Sequence, residues 1–453
     1  MKPLLFALLA LAHLIAPAAA ATRPGPIAFV NVTVVPMDSE RVIPGRTVVV
    51  RDGRIESIGA TAVTTLPADL PQIDGTGRYL MPGLAEMHAH VPPNPQQVQW
   101  TRDVLFLYVA NGITFARSML GAPHHLELRE RAERGQLLSP RLLLSGPSFN
   151  GNSVTSPEAG RRMVADQNAA GYDFLKIHPG LDRPRYDAVA EAARAAQIPF
   201  GGHVPDAVGI LRALDAGQRT VDHLDGYMAL LLAPGAEAGE PGFFGYAQSV
   251  RADESRITEA VRLTREAGSW QVPTESLVHH VMLPDPGNQL AGRDELRFVP
   301  RPMRGSWVAA RANLQSSPQW NGVQARRFVE LRSRLIKAMH DGGAGLLLGS
   351  DSPQWFNVPG FAIHHELRIL VEAGLTPFEA LATGTRNVGQ FLGDESHGVI
   401  AAGARADLIL LEANPLADVA NVQRRAGVML GGLWIAESEI QSGLNALARR
   451  FAD

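Results

Sequence analysis

The sequence contains no cysteine, which excludes a disulfide framework, thiolate catalysis and a lipid-anchored cysteine. It has no GxSxG elbow, the turn that exposes a serine nucleophile. A GK[ST] phosphate loop, a GxGxxG dinucleotide fingerprint and a zinc knuckle are also missing. Neither sign of charge prevails: 42 Lys and Arg against 45 Asp and Glu leave a formal net charge of -3, without long runs. Nucleic-acid binding calls for a basic face, so no nucleic-acid partner is expected. Beyond the N-terminal segment there is no long apolar run, so no membrane-spanning helix is expected there.

What is present begins with that segment. Lys2 gives a positive start, Leu4 to Ile15 form an apolar stretch interrupted by His13, and Ala18-Ala19-Ala20-Ala21 after Pro17 offer a small-residue cleavage site. Residues 1–21 read as a secretory signal peptide, and the expected location is exported, periplasmic or secreted, with no stable anchor after cleavage. The remaining composition, 45% apolar and 19% charged, is that of a globular chain. Its length of 453 residues asks for more than one core.

Short β-type runs gather at both ends. Ile27–Val35 and Thr47-Val48-Val49-Val50 are rich in β-branched residues, and Asp52-Gly53 joins the second run to Arg54–Ile58 as a hairpin. Leu408-Ile409-Leu410-Leu411 and Val428-Met429-Leu430, followed by Leu433-Trp434-Ile435, repeat the pattern near the other end. Residues 24–80 and 397–437 are expected to build one small β-sandwich domain, with residues 438–453 as a C-terminal helix. Between them, in residues 81–396, strand-like runs alternate with amphipathic helices. The strands are expected to end near His88, Ala116, Ser145, Lys176, His203, His223, Thr274 and Asp351. The first five intervals span 20 to 31 residues, the length of a βα unit, whereas the last two are longer and imply insertions such as the excursion expected over Leu283–Asn321. The fold class is therefore α/β, with a (β/α)8 barrel beside the β domain.

The chemistry concentrates at those strand ends. In a strand, residues two apart share a face, so His88 and His90 project together at a C-terminal strand end, where barrel enzymes keep their active sites. His203, His223 and Asp351 each stand where an apolar run meets a polar or Gly-rich loop. Four imidazoles and a carboxylate at four strand ends form a nitrogen and oxygen ligand set that suits zinc, and also manganese or cobalt. Lys176 lies inside an apolar strand, where an ammonium is costly. The residues alone leave its role open: a neutral amine modified by carbon dioxide to an anionic carbamate, or a lysine that snorkels to the rim or pairs with Asp173.

The approach Met81-Pro82-Gly83-Leu84 to His88-Ala89-His90, Lys176, His203, His223 and Gly349-Ser350-Asp351 resembles the amidohydrolase superfamily. Its imidazolonepropionase-like and metal-dependent Xaa-Pro dipeptidase-like members are the most similar. Thr376–Thr383 and the closing Gly403–Leu408 extend the likeness. The resemblance implies a centre of two divalent metal ions, zinc foremost. His88, His90 and Asp351 would hold one ion, His203 and His223 the other, and carboxylated Lys176 and a hydroxide would bridge them. It also gives Asp351 a catalytic role as proton shuttle. Two departures stand out: Glu86 where the family usually has Asp, and Pro205 where dipeptidase-like members often carry Tyr. The second removes support for a strict dipeptidase.

Arg117, His178 and His364 are candidate substrate contacts. Asp222 and Asp225 could orient a ligand imidazole, and Trp355, Phe356 and Phe361 could wall the mouth. The expected function is hydrolysis of an amide C–N bond of a small substrate: an N-acyl amino acid, a short peptide or a cyclic amide. Alternatives are a deaminase, a lactone or phosphotriester hydrolase on the same centre, or a non-catalytic binding protein on this scaffold. The expected partner is a small molecule, and a homo-oligomer is compatible with the sequence.

Overall fold

The computed structural model describes residues 25–452; the expected signal peptide lies outside the described residues. The strands in chain order are β1 (Ile27–Val34), β2 (Ile43–Arg51), β3 (Arg54–Ala60), β4 (Gln72–Asp74) and β5 (Tyr79–Pro82). They continue as β6 (Leu84–Ala89), β7 (Ile113–Ser118), β8 (Arg141–Leu144), β9 (Leu175–Ile177), β10 (Phe200–Gly202), β11 (Thr220–Asp222) and β12 (Trp270–Val272). Last come β13 (Leu408–Leu411), β14 (Arg425–Leu430) and β15 (Leu433–Ala436).

Both chain ends meet in one sheet, ordered β15-β14-β13-β5-β1-β2-β3, with β4 pairing β1. The Asp52-Gly53 turn joins β2 to β3 as an antiparallel hairpin. A two-sheet sandwich does not describe this arrangement, because hydrogen bonding runs unbroken from β15 to β3. The sheet instead curls. Ile55 N donates to Ala404 O and Ala406 N to Gly53 O, so β3 meets the segment leading into β13, although three strands lie between β3 and β13 along the path. Phe29, Val48, Ile55, Leu80, Leu408 and Met429 share the core enclosed by the curl.

The central residues form a mixed α/β body. β6, β7 and β8 make one parallel sheet, and β9 to β12 make another. Single parallel bridges link them, Ser145 to Phe174 on one side, and Gln271 to Leu346 and Ala89 to Ser352 through the segment 345–352 on the other. The strand expected to end at Asp351 is thus an irregular extended segment. Its ladder is interrupted at Ser350, whose N–H donates to the Glu86 side chain instead of a neighbouring carbonyl. The excursion over Leu283–Asn321 is largely helical, with helices Gly287–Ala291 and Arg301–Gln315. Helix Glu437–Arg450 closes the described chain and buries Ile440, Leu444 and Leu447. Among the described residues no helix is long and apolar enough to cross a membrane.

Candidate metal centre

His88 and His90 close β6 and emerge on one side of it, their rings stacked 5.5 Å apart. His203 follows β10 and His223 follows β11, which are paired in parallel. Their rings face each other at 4.6 Å, and His88 lies 4.7 Å from His223. Asp351 completes the group: its Oδ1 is 2.9 Å from His90 Nε2 and 3.5 Å from His88 Nε2, and its Oδ2 is 3.7 Å from His223 Nε2. His88, His223 and Asp351 each offer a donor atom within 4.8 Å of the others.

The backbone is specialised to bring these groups together. His223 and Asp351 both adopt left-handed conformations, with φ 62° and φ 60°. Gly349 runs so close to β6 that a Cβ there would sit 2.9 Å from His88 N and 2.5 Å from a Val272 methyl, so only glycine fits. Beneath the site, Glu86 is fully buried and accepts from His88 N (3.0 Å), Ser350 N (2.9 Å) and Ser350 Oγ (2.5 Å). Burial pushes its pKa up to about 8 against the opposing pull of those donors.

Two of the histidines are oriented from behind. His203 Nδ1 lies 2.7 Å from Asp225 Oδ2, and His223 Nδ1 lies 2.8 Å from Thr274 Oγ1, which leaves each Nε2 free to face the centre. His88 Nδ1 is 3.1 Å from Asp222 Oδ2. That same oxygen accepts from Lys176 Nζ at 3.3 Å, while Arg117 donates to Oδ1 at 3.3 Å. Burial alone would raise the Asp222 pKa, but Lys176, His88 and Arg117 outweigh it and hold the carboxyl well below its usual range. Lys176 is wholly buried, and its ammonium is disfavoured by burial despite Asp222 and Asp351. Burial also lowers His88 to about 4 and holds His223 well below its ordinary value, so both rings are neutral at pH 7. Asp351 is kept ionised, burial being outweighed by the His88 and His90 rings.

These atoms fit metal ions. His90 Nε2, His223 Nε2 and Asp351 Oδ1 are buried, yet none makes a hydrogen bond within the described residues. Unpartnered polar atoms are rare in protein interiors because each forfeits its hydration. Three of them aimed at one another, two imidazole nitrogens and a carboxylate oxygen, form the donor set of a transition-metal site.

A cavity of about 180 Å³ opens onto this cluster. His88, His90, His178, His203 and Asp351 line one part of it, and Phe243, Phe244, Leu277, Gln354 and Trp355 the rest. Phe244 lies flat on the His223 ring, 4.4 Å away with an interplanar angle of 3°. Sequence reasoning missed the pair Phe243-Phe244. Its only signal was two adjacent aromatics in a Pro/Gly-rich stretch after His223. Phe244 and Trp355 take left-handed conformations, φ 47° and φ 46°, at a cost of about 1–3 kcal/mol each for bulky residues.

His178 reaches the cavity, where burial holds its pKa at about 2. Substrate contact does not carry over to Arg117 or His364. The Arg117 guanidinium is buried and committed to Met87 O, Thr220 Oγ1 and Asp222, and it borders a different cavity with Phe174 and Phe391. His364 is buried on helix Phe361–Glu372, with its Nε2 3.3 Å from Asn111 Oδ1. Of the expected aromatic wall, only Trp355 lines the cavity. Phe356 packs edge-on to Trp307, and Phe361 stacks on Phe298.

The amidohydrolase family model matches residues 79–435. The chain belongs to the amidohydrolase family. Among curated proteins it is similar to adenine deaminase 3 of Rhizobium meliloti, at 27% identity over 205 residues, 41% of this chain and 33% of that protein. It is equally similar to ochratoxinase of Aspergillus niger, at 27% identity over 234 residues, 51% of this chain and 36% of that protein. The chain thus spans about a third of the length of these relatives. The solved structure of a bottromycin amidohydrolase superposes with a TM-score of 0.73 at 23% identity, over 96% of this chain and 92% of that one, so the amidohydrolase shares its fold.

Proposed function

We infer that the chain is an exported, metal-dependent amidohydrolase that cleaves an amide C–N bond of a small substrate: an N-acyl amino acid, a short peptide or a cyclic amide. The observation that carries this reading is the convergence of His88, His90, His203, His223 and Asp351, with buried donor atoms that make no hydrogen bond among the described residues. Family membership supports it. The single parallel bridges on both sides of the two central sheets support closure of the strands into a (β/α)8 barrel. The unbroken sheet of both chain ends supports a separate β domain beside it.

His88, His90 and Asp351 would hold one divalent ion, and His203 and His223 a second, zinc being the first choice for this donor set. Bound there, the ions would lower the pKa of water towards neutrality and polarise the scissile carbonyl. Lys176, as the carbamate formed with carbon dioxide, would supply a further anionic ligand to these ions. A buried amine whose ammonium is disfavoured has the free electron pair that reaction needs. Asp351, ionised among the histidines, accepts the proton of the attacking water and returns it to the leaving nitrogen. Asp225 and Thr274 fix the His203 and His223 rings during this exchange.

A deaminase is the second reading, favoured by the similarity to adenine deaminase 3; both readings break a C–N bond. A screen of metal-loaded protein against N-acyl amino acids, dipeptides, lactams and adenine decides between them. Amide cleavage that is lost in Lys176→Ala and recovered with added short carboxylic acids is expected. Ammonia release from adenine alone would replace the amide reading with the deaminase one.

A further inference from the structure

The cluster of candidate ligands lines only part of its cavity. The rest is built from Phe243, Phe244, Leu277 and Trp355, with Gln354 as the one uncharged amide. Among the described residues that line it there is no lysine or arginine. The side chains away from the ligand cluster are thus aromatic, aliphatic or amide. A carboxylate on the part of the substrate that enters these walls, away from the ligand cluster, would therefore lose its hydration without a side-chain cation to pair with.

The apolar part is not incidental loop packing. Phe244 and Trp355 come from segments more than a hundred residues apart. Both are held in left-handed backbone conformations that bulky residues avoid. Strain of this kind persists where the surroundings enforce it, and it concentrates at ligand clamps. The flat stacking of Phe244 on His223 carries an aromatic face directly to the edge of the metal cluster. An aromatic ring entering beside it would find offset or edge-on partners in Phe244 and Trp355.

We propose that Phe244 and Trp355 form an aromatic clamp that selects an uncharged aromatic group on the substrate, so that the preferred amide is arylated and its aryl group bears no carboxylate. This rests on the amidohydrolase reading for the bond that is cut, but the clamp itself is a binding site and is tested as one.

Three uncleavable ligands serve as probes for calorimetric titration of the zinc-loaded full chain. They are N-benzylmethanesulfonamide, its ring-carboxylate counterpart 4-(methanesulfonamidomethyl)benzoate, and N-methylmethanesulfonamide. The neutral benzyl ligand is expected to bind about tenfold tighter than either of the others. F244A and W355A are each expected to cut the benzyl-over-methyl ratio about threefold or more, and F244L to retain only part of it. F244L keeps the apolar volume, so it separates stacking from simple filling and guards against a misfolded alanine variant. Tighter binding of the benzoate, or a benzyl-over-methyl ratio that neither F244A nor W355A changes, overturns the clamp. If the ligand preference holds while no amide is hydrolysed, the clamp stands and the hydrolytic reading fails.

Discussion

Glu86 and Ser350 are joined twice, through the Ser350 N–H at 2.9 Å and its hydroxyl at 2.5 Å. The same carboxyl takes the N–H of His88. One buried side chain on β6 therefore holds two segments that carry ligands of the proposed centre, doing the work of the ladder bonds it interrupts.

Glu86→Ala should leave the His88 and Ser350 backbone amides without partners in a fully buried site, while the Ser350 hydroxyl keeps Ser352 Oγ at 3.1 Å. Unmet buried donors cost about 1–3 kcal/mol each before the surroundings relax. Urea unfolding is expected to show a loss of about 2–4 kcal/mol, with reduced metal content in the purified variant. Wild-type stability in this variant would show that Glu86 does not tie the two segments.

Asp222 faces His88 Nδ1 and Lys176 Nζ at once. Asp222→Asn keeps the volume and removes the charge. Competition with a chelator is expected to show metal affinity falling about 10–100-fold, the usual effect of losing the partner behind a ligand histidine. Unchanged affinity would mean that His88 is oriented by packing alone.

Elemental analysis of purified protein should find about two divalent ions per chain if the proposed bridged centre forms. Prolonged chelation should abolish amide hydrolysis and lower the midpoint of thermal unfolding, because an ion that binds only the folded chain stabilises it. Zinc should restore both. About one ion would favour the deaminase reading, and near-zero metal a binding protein without catalysis.

Glu366 is buried on helix Phe361–Glu372 and caps the start of helix Glu275–Met282, accepting from Glu275 N at 2.9 Å and Ser276 N at 2.6 Å. Burial, with the nearby Glu275 charge, pushes its pKa up to about 8. A carboxyl whose folded pKa exceeds its unfolded value stabilises the fold at low pH, and that contribution is lost as pH rises through the folded value. Stability by urea unfolding should therefore fall between about pH 5 and 9. Glu366→Gln, neutral throughout, should flatten that fall; an equally steep profile in this variant would assign the dependence to other groups.

The sequence was legible wherever local pattern and chemistry coincide. Alternating β-branched runs around Asp52-Gly53 give a hairpin whatever the rest of the chain does, because turn and pleat are set by neighbours. An HxH at the end of an apolar strand places His88 and His90 on one side for the same reason. The pairing of β5 with β13, by contrast, joins segments over three hundred residues apart, and nothing local to either end says whether they form one curled sheet or two stacked ones. Segment 345–352 reads as a strand by its apolar run, yet a carboxyl from β6 competes for its amide, a contest invisible without coordinates.

What the sequence determined by itself was the set of candidate donor side chains and the α/β character of the chain, since donor chemistry and hydrophobic period belong to the residues themselves. Only the tertiary structure decided which groups stand behind those side chains. It turned Arg117 and Asp222 inward as their support, placed His364 apart, and laid Phe244 on His223. Each of these is a matter of which distant surfaces share the same few ångströms, and that is fixed by the packing of the whole molecule.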